Sequence, residues 1–312
     1  MPDPNRAAIQ FRSLTKNFRD VEAVSQLSLE IHSGELFGLV GPDGAGKTTT
    51  LRAMAGLLSI SDGKGTVAGF DLKTQPEQVK RHIGYMAQRF SLYAELNVVE
   101  NLQFFADIYD VPRDSVNSRM EKLLEFANLT DFRSRRADQL SGGMQKKLAL
   151  ACCLIHEPEI LLLDEPTTGV DPISRREFWQ ILNNLHLSGT TIVVSTPYMD
   201  EADRCSRIGL MYEGKMINCD SPKTIRESVA EEMVVLVPED WEGVREVLEK
   251  IPDILEIQTY GEEFHLLVED GEEQIKRIKK VLKKENIPFK DLRTSLPGME
   301  EAFISMMKGM DN

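Results

Sequence analysis

Gly41-Pro42-Asp43-Gly44-Ala45-Gly46-Lys47-Thr48 carries the spacing G-x-x-x-x-G-K-[ST] between an apolar run, Leu36-Phe37-Gly38-Leu39-Val40, and a helical pattern. Those residue types suit the cradling of a polyphosphate. Glycines let the backbone turn so that successive N–H groups face one point and hold an anion there. A helix that starts at that point adds its unpaired N–H groups and the positive end of its dipole. Lys47 is placed to reach the β- and γ-phosphates, and the Thr48 hydroxyl to ligate Mg2+.

Ile160-Leu161-Leu162-Leu163-Asp164-Glu165-Pro166 reads as a buried strand ending in two carboxylates. The carboxyl end of a parallel strand is where such sheets bind ligands. Asp164 suits the water shell of Mg2+, and Glu165 suits orienting and deprotonating an attacking water. A solvated strand end can look the same. The phosphate loop upstream is what favours chemistry.

These groups need a scaffold. Thr191-Ile192-Val193-Val194-Ser195 and Ile208-Gly209-Leu210-Met211-Tyr212 read as further buried strands. Runs apolar on both faces, separated by helices, predict an α/β domain with a mostly parallel sheet covered on both sides. Val98 to Leu140 is helical in pattern without a strand signal, and predicts a helical subdomain at about residues 89–157. The texture changes near Ser228. Beyond it, strands are expected at Met233–Val237, Ile254–Tyr260, Glu263–Val268 and Phe289–Thr294, with the middle two forming a hairpin around Gly261. Helices are expected at Trp241–Lys250, Glu272–Lys284 and Met299–Met307, the second with Ile275, Ile278, Val281 and Leu282 on its apolar stripe. The order β-α-β-β-α-β predicts a small α+β, ferredoxin-like domain. The expected division is therefore 1–228 and 229–312.

A chain of 312 residues accommodates about two such domains. Its formal charge of −13 argues against a protein that coats nucleic acid. No apolar run approaches the roughly 20 residues needed to span a bilayer. The longest is Leu148 to Ile155, and Met1 to Phe11 lacks an apolar signal region. A membrane role therefore has to come through a partner. Cys152, Cys153, Cys205 and Cys219 show no zinc or disulfide spacing and read as reduced, small apolar residues.

Between the two candidate sites lies Leu140-Ser141-Gly142-Gly143-Met144-Gln145, which resembles the signature sequence of ABC ATPases. The resemblance covers about residues 8 to 225 and implies a P-loop NTPase cassette that binds ATP and Mg2+. It implies nucleotide contacts from Gly41, Pro42, Asp43, Gly44, Ala45, Gly46, Lys47, Thr48 and Thr49, with Phe18 stacking on adenine. Ser141 and Gly143 are implied contacts to the γ-phosphate held by a second cassette, so that ATP glues two cassettes together. Thr48, Gln88 and Asp164 are the implied metal residues, and Glu165, Gln88 and Lys47 the catalytic ones. Gln88 also matches the glutamine beside the membrane-partner contact. Gly169-Val170-Asp171 matches the loop that links the sites across the dimer, although Asp171 also reads as a helix cap.

One position departs from the family pattern. After Thr191–Ser195 the family usually carries a histidine that contacts the γ-phosphate, and here Thr196-Pro197-Tyr198-Met199-Asp200-Glu201-Ala202 puts Pro197 in its place. Proline has neither a side-chain donor nor a backbone N–H. Slow or asymmetric hydrolysis is the expectation, with Tyr198 pointing elsewhere.

Phe90-Ser91-Leu92-Tyr93-Ala94-Glu95-Leu96-Asn97-Val98-Val99-Glu100-Asn101-Leu102, Tyr198–Ala202 and the tail Pro297–Phe303 resemble the subgroup serving ABC-2-type exporters, multidrug and antibiotic exporters among them. The implied partners are a second cassette, alike or different, and a transmembrane ABC-2-type permease at the cytoplasmic face of a prokaryotic inner membrane. A regulatory cassette with little turnover and a soluble, non-transport ABC ATPase remain as alternatives. Met299, Phe303, Met306, Met307 and Met310 read either as a helix packed on the small domain's sheet or as an adaptable partner surface.

Overall fold

The computed structural model describes residues 7–89 and 92–308. Phe90 and Ser91 of the subgroup segment, Met310 of the methionine cluster and the start of the chain before Ala7 lie outside the described residues. The chain divides into two compact units, Met1–Cys219 and Asp220–Asn312. This division falls ahead of the expected one after residue 228, and the short helix Pro222–Glu227 goes with the second unit.

In the first unit the strands are β1 (Ala7–Phe18), β2 (Val21–His32), β3 (Leu36–Val40), β4 (Asp62–Val67), β5 (Phe70–Asp71), β6 (Ile83–Met86), β7 (Ile160–Asp164), β8 (Thr191–Thr196), β9 (Arg207–Tyr212) and β10 (Lys215–Asp220), whose last residue opens the second unit. Its helices are α1 (Lys47–Met54), α2 (Pro76–His82), α3 (Val98–Ile108), α4 (Arg113–Phe126), α5 (Gly142–Leu154), α6 (Pro172–Leu187) and α7 (Met199–Ala202).

The central sheet runs β10-β9-β3-β8-β7-β6, and its β9, β3, β8, β7 and β6 pair in parallel. β3, β7 and β8 are buried throughout, as their largely apolar runs require. Full burial of one such Leu, Ile or Val side chain contributes about 1.5–3 kcal/mol. Strand β8 lies between β3 and β7, so the chain after β3 and the chain after β7 emerge at the same sheet end on either side of it.

A second, antiparallel sheet in the order β2-β1-β4-β5 was not expected. Its pairing slips at several points along β1, and Ser13 and Gln26 take positive φ of 48° and 45°. Each bulge shifts the inward side chain by one residue and interrupts the alternation by which a strand is read, although Leu27–Ile31 of β2 still alternates buried and exposed.

The helical insert contains α3, α4 and the start of α5, with one isolated bridge, Asn97 to Arg136. Asn97 caps α3 by accepting from the Glu100 N–H, and Glu100 accepts from the Asn97 N–H in return. Asn101 is fully buried: it accepts from the Tyr93 N–H and donates to the Tyr93, Leu96 and Asn97 carbonyls. The loop ahead of α3 is therefore shaped by that side chain.

The second unit contains α8 (Pro222–Glu227), β11 (Glu232–Pro238), α9 (Val244–Leu248), β12 (Ile254–Tyr260), β13 (Glu263–Val268), α10 (Gly271–Lys284), β14 (Phe289–Ser295) and α11 (Met299–Lys308). Its sheet order is β12-β13-β11-β14, antiparallel throughout, which is the ferredoxin-like arrangement of a β-α-β-β-α-β chain. Ile278 and Leu282 of α10 are buried in its core beside Val234, Leu236 and Leu266, with Ile275 and Val281 packed at the edge. Helix α9 is shorter than the expected Trp241–Lys250, since Gly243 takes a left-handed φ of 70° just ahead of it. Met299, Ala302 and Phe303 of α11 are buried and Met306 and Met307 half-buried, which favours the packing reading of that helix.

Candidate functional site

Strand β3 ends at Val40 and the loop Gly41–Gly46 delivers the chain into α1. Glycine is required at both ends of this loop. A Cβ on Gly41 would stand 2.2 Å from the Met211 carbonyl oxygen, and Gly46 has a φ of +99° with the Ala23 carbonyl oxygen 2.6 Å from where its Cβ would be. Lys47 is buried and donates to the carbonyls of Gly41 at 2.8 Å and Pro42 at 2.9 Å, with the Glu165 carboxylate 3.7 Å away. Burial lowers the pKa of its ammonium, while Glu165, Asp43 and Asp164 act to keep it protonated.

Across the sheet end, Asp164 is fully buried and ringed by hydroxyls. Thr48 Oγ1 donates to Oδ1 at 3.0 Å, Ser195 Oγ to Oδ1 at 2.7 Å and Tyr85 Oη to Oδ2 at 3.4 Å. Glu165 follows with its backbone in the left-handed region, φ 46°. Its N–H is held by Ser195, with Oγ at 3.0 Å and the carbonyl at 3.2 Å, and that turns the carboxylate toward the loop. Glu165 Oε2 accepts from Gln88 Nε2 at 2.7 Å and from Thr168 Oγ1 at 3.3 Å. Gln88 itself is exposed, two residues beyond β6.

A cleft of about 550 Å³ is lined by Asp43 to Thr49, Gln88 and Glu165 together with Val21 to Ala23, Glu213 and Gly214, and Asp164 lies behind that lining, bonded to Thr48. The structure thus brings together Lys47, Thr48, Gln88, Asp164 and Glu165. It leaves Phe18 outside the lining: that ring ends β1, is 44% exposed and carries the Lys16 ammonium 4.9 Å from its centroid. Gly41 and Pro42 also lie behind the lining, as the backbone acceptors for Lys47.

The signature residues form another surface. Ser141 is the N-cap of α5, accepting from the Met144 N–H at 3.3 Å, and both Ser141 and Gly142 are exposed. Gly143 is buried, and a Cβ there would meet Ser174 Cβ and Oγ at 2.6 Å, so this glycine lets α5 approach α6. Asp171 caps α6, accepting from the N–H groups of Ile173 and Ser174, and these bonds hold its carboxyl below the usual range.

Pro197 follows β8, and the Tyr198 ring lies 4.3 Å from the Arg175 guanidinium. Around this turn, the fully buried Glu201 accepts from Thr167, Thr196, Trp179 and Arg175 at 2.6 to 2.9 Å. The network ties β8, the loop after β7 and α6 together beside the position where a histidine was expected. Sequence reading missed Ser195, Thr168 and Glu201. Ser195 alone left a signal, as the polar end of an apolar strand, and the parallel register then sets it opposite Asp164.

A family model described as ABC transporter matches residues 24–168. The daunorubicin resistance ATP-binding protein DrrA2 of Streptomyces coeruleorubidus is 30% identical over 96% of this chain and 94% of its own length. The chain belongs to the ABC transporter family of ATP-binding proteins. A further relative, named a probable multidrug ABC transporter ATP-binding protein, YbhF of Escherichia coli (strain K12), is 44% identical over 73% of this chain. The chain spans 39% of that longer protein. One relative is thus named for daunorubicin resistance and the other for a multidrug ABC transporter. Among solved structures, a dimeric ATP-binding cassette in a post-hydrolysis state bound to ADP and Pi matches 68% of this chain and 98% of its own, with a TM-score of 0.63 and 26% identity. The fold of the first unit is therefore that of an ABC ATPase cassette, which binds ATP or ADP and belongs to a family of ATP hydrolases.

Proposed function

We propose that this chain is the Mg-ATP-hydrolysing subunit of an ABC-2-type exporter, working as one of a pair of cassettes. One observation carries the reading. A phosphate loop and a Glu165–Gln88 pair line one cleft, with the buried Asp164 bonded to Thr48 behind it, while a separate exposed helix end, Ser141–Gly142, is free to meet a second cassette. Thr48, Asp164 and Gln88 would hold Mg2+, their side-chain oxygens being the hard donors that suit it. When bound, Mg2+ neutralises charge on the phosphate oxygens.

The chain's own residues do the rest. The loop N–H groups and Lys47 bind and orient the triphosphate. Glu165, fixed by Ser195 and Gln88, takes a proton from the attacking water. Closure by a partner cassette's signature helix end excludes bulk water. No described helix is long and apolar enough to cross a membrane. The proposed membrane partner is an ABC-2-type permease, at the cytoplasmic face of the inner membrane, and DrrA2's name supports an antibiotic or multidrug cargo. Nucleic acid is not part of this reading.

Pro197 offers no donor to the γ-phosphate, so turnover by the chain alone is expected to be slow. Pro197→His should raise kcat by roughly tenfold or more, the scale set by a single transition-state hydrogen bond. Phosphate release by purified wild type and variant measures it. Equal, brisk turnover by both removes Pro197 from the account. A second reading, a regulatory cassette that binds ATP without turnover, also rests on Pro197, and is selected if the wild type binds ATP and releases no phosphate while Pro197→His does.

A further inference from the structure

Helix α5 is anchored by successive polar side chains that go to different neighbours. Gln145 Nε2 donates to the Ala137 carbonyl at 2.9 Å, Lys146 Nζ to the Gln88 carbonyl at 3.1 Å, and Lys147 Nζ to Glu177 Oε2 at 2.5 Å. The first bond closes the turn ahead of the helix. The third joins α5 to α6, the same contact that Gly143 and Ser174 make by close packing. Only the Lys146 bond reaches the hydrolytic half of the chain's own site. Gln88, whose backbone it holds, places its side-chain amide 2.7 Å from Glu165 Oε2.

The exposed Ser141–Gly142 end of α5 and the carboxylate of Glu165 are thus joined within one chain through α5, Lys146 and Gln88. The bond suits a lysine. Its acceptor is a backbone carbonyl, its stem is long enough to be half-buried, and a cationic donor makes a stronger bond than a neutral one. The ammonium is also within the field of Glu165 and Asp164, whose negative charge opposes the lowering of its pKa by burial.

We propose that Lys146 is a positioning residue for hydrolysis, holding Gln88, and through it the Glu165 carboxylate, in register with the signature end of α5 in the same chain. The proposal rests on the ATPase reading above. It gives one cassette a physical link between the surface it offers a partner's nucleotide and the base that acts on its own. Lys146 does not touch nucleotide; it acts through Gln88.

The experiment uses the full chain, labelled with 15N-glutamine, as wild type, Lys146→Met and Lys146→Arg. Thermal melts, Mg-ATP affinity, the split between kcat and KM, and the Gln88 side-chain amide signal without nucleotide are read for each. The expected result for Lys146→Met is unchanged melting, affinity and KM, a kcat lower by roughly tenfold to a hundredfold, the scale of a misplaced reacting group, and a shifted Gln88 amide signal. Lys146→Arg, which keeps a cationic donor, should recover most of kcat. The proposal is overturned by wild-type kcat in Lys146→Met, by an unmoved Gln88 signal, or by a fall in kcat that follows a lowered melting temperature. Should the wild type release no phosphate while the Gln88 signal still moves in Lys146→Met, the ATPase reading falls and the positioning of Gln88 by Lys146 stands.

Discussion

Glu165 sits at φ 46°, a left-handed conformation that costs a non-glycine residue about 1–2 kcal/mol. The strain is held by Ser195, whose hydroxyl and carbonyl both accept from the Glu165 N–H. That geometry is what aims the carboxylate at the phosphate loop, 3.7 Å from Lys47, instead of along the strand. Glu165→Gln keeps the shape and the backbone bond but removes the proton acceptor. It is expected to lower kcat by at least about a hundredfold, the range of a positioned general base, while Mg-ATP binding persists. Phosphate release beside fluorescent-nucleotide titration separates the two. Retention of wild-type turnover would take the base role away from Glu165. The expectation that it acts as the base came from Asp164-Glu165 after an apolar run. The strain and its support were not legible there, because Ser195 lies 30 residues further along the chain.

At the scale of elements, the contact between α5 and α6 is set by what is missing at Gly143. A methyl there would overlap Ser174, and overpacking of a buried contact costs typically 1–3 kcal/mol. Gly143→Ala should therefore lower the melting temperature, and Ser174→Gly in the same chain should restore it. Failure of the second change to compensate would show that Gly143 matters for something other than this packing. The sequence resemblance implied a nucleotide contact for the signature motif, and its packing side came only with α6 beside it. The antiparallel sheet tells a related story. β1 and β2 are long, and bulges near Ser13 and Gln26 interrupt their alternation, which survives in β2 as Leu27-Ser28-Leu29-Glu30-Ile31 and is a signal that sequence reading missed.

For the whole molecule, each unit has its own apolar core. Calorimetry should therefore resolve more than one unfolding transition, as chains of several domains commonly do. The cleft beside the phosphate loop is lined by residues of the first unit alone, so nucleotide should raise only that unit's transition. At a hundred times Kd the stabilisation is about 2.7 kcal/mol. A nucleotide-dependent shift of the second unit's transition as well would place part of the binding energy outside the cleft described.

Some of this was decided by local sequence. The glycine spacing of Gly41–Thr48, the apolar runs of β3, β7 and β8, and the stripe of α10 each express a constraint that acts over a few residues, so periodicity and motif reveal them. The tertiary structure alone decided which strands are neighbours. With β8 between β3 and β7, Ser195 comes against Asp164 and Thr48 reaches the same carboxylate. It also decided that Lys146 meets Gln88 and that Glu201 gathers Thr167, Thr196, Trp179 and Arg175. Such contacts join residues far apart in the chain, and no local pattern encodes them. They exist because burying the strands forces those side chains together, where a buried carboxylate must find donors. The phosphate loop was therefore visible from its own residues, and the support that makes it a site was not.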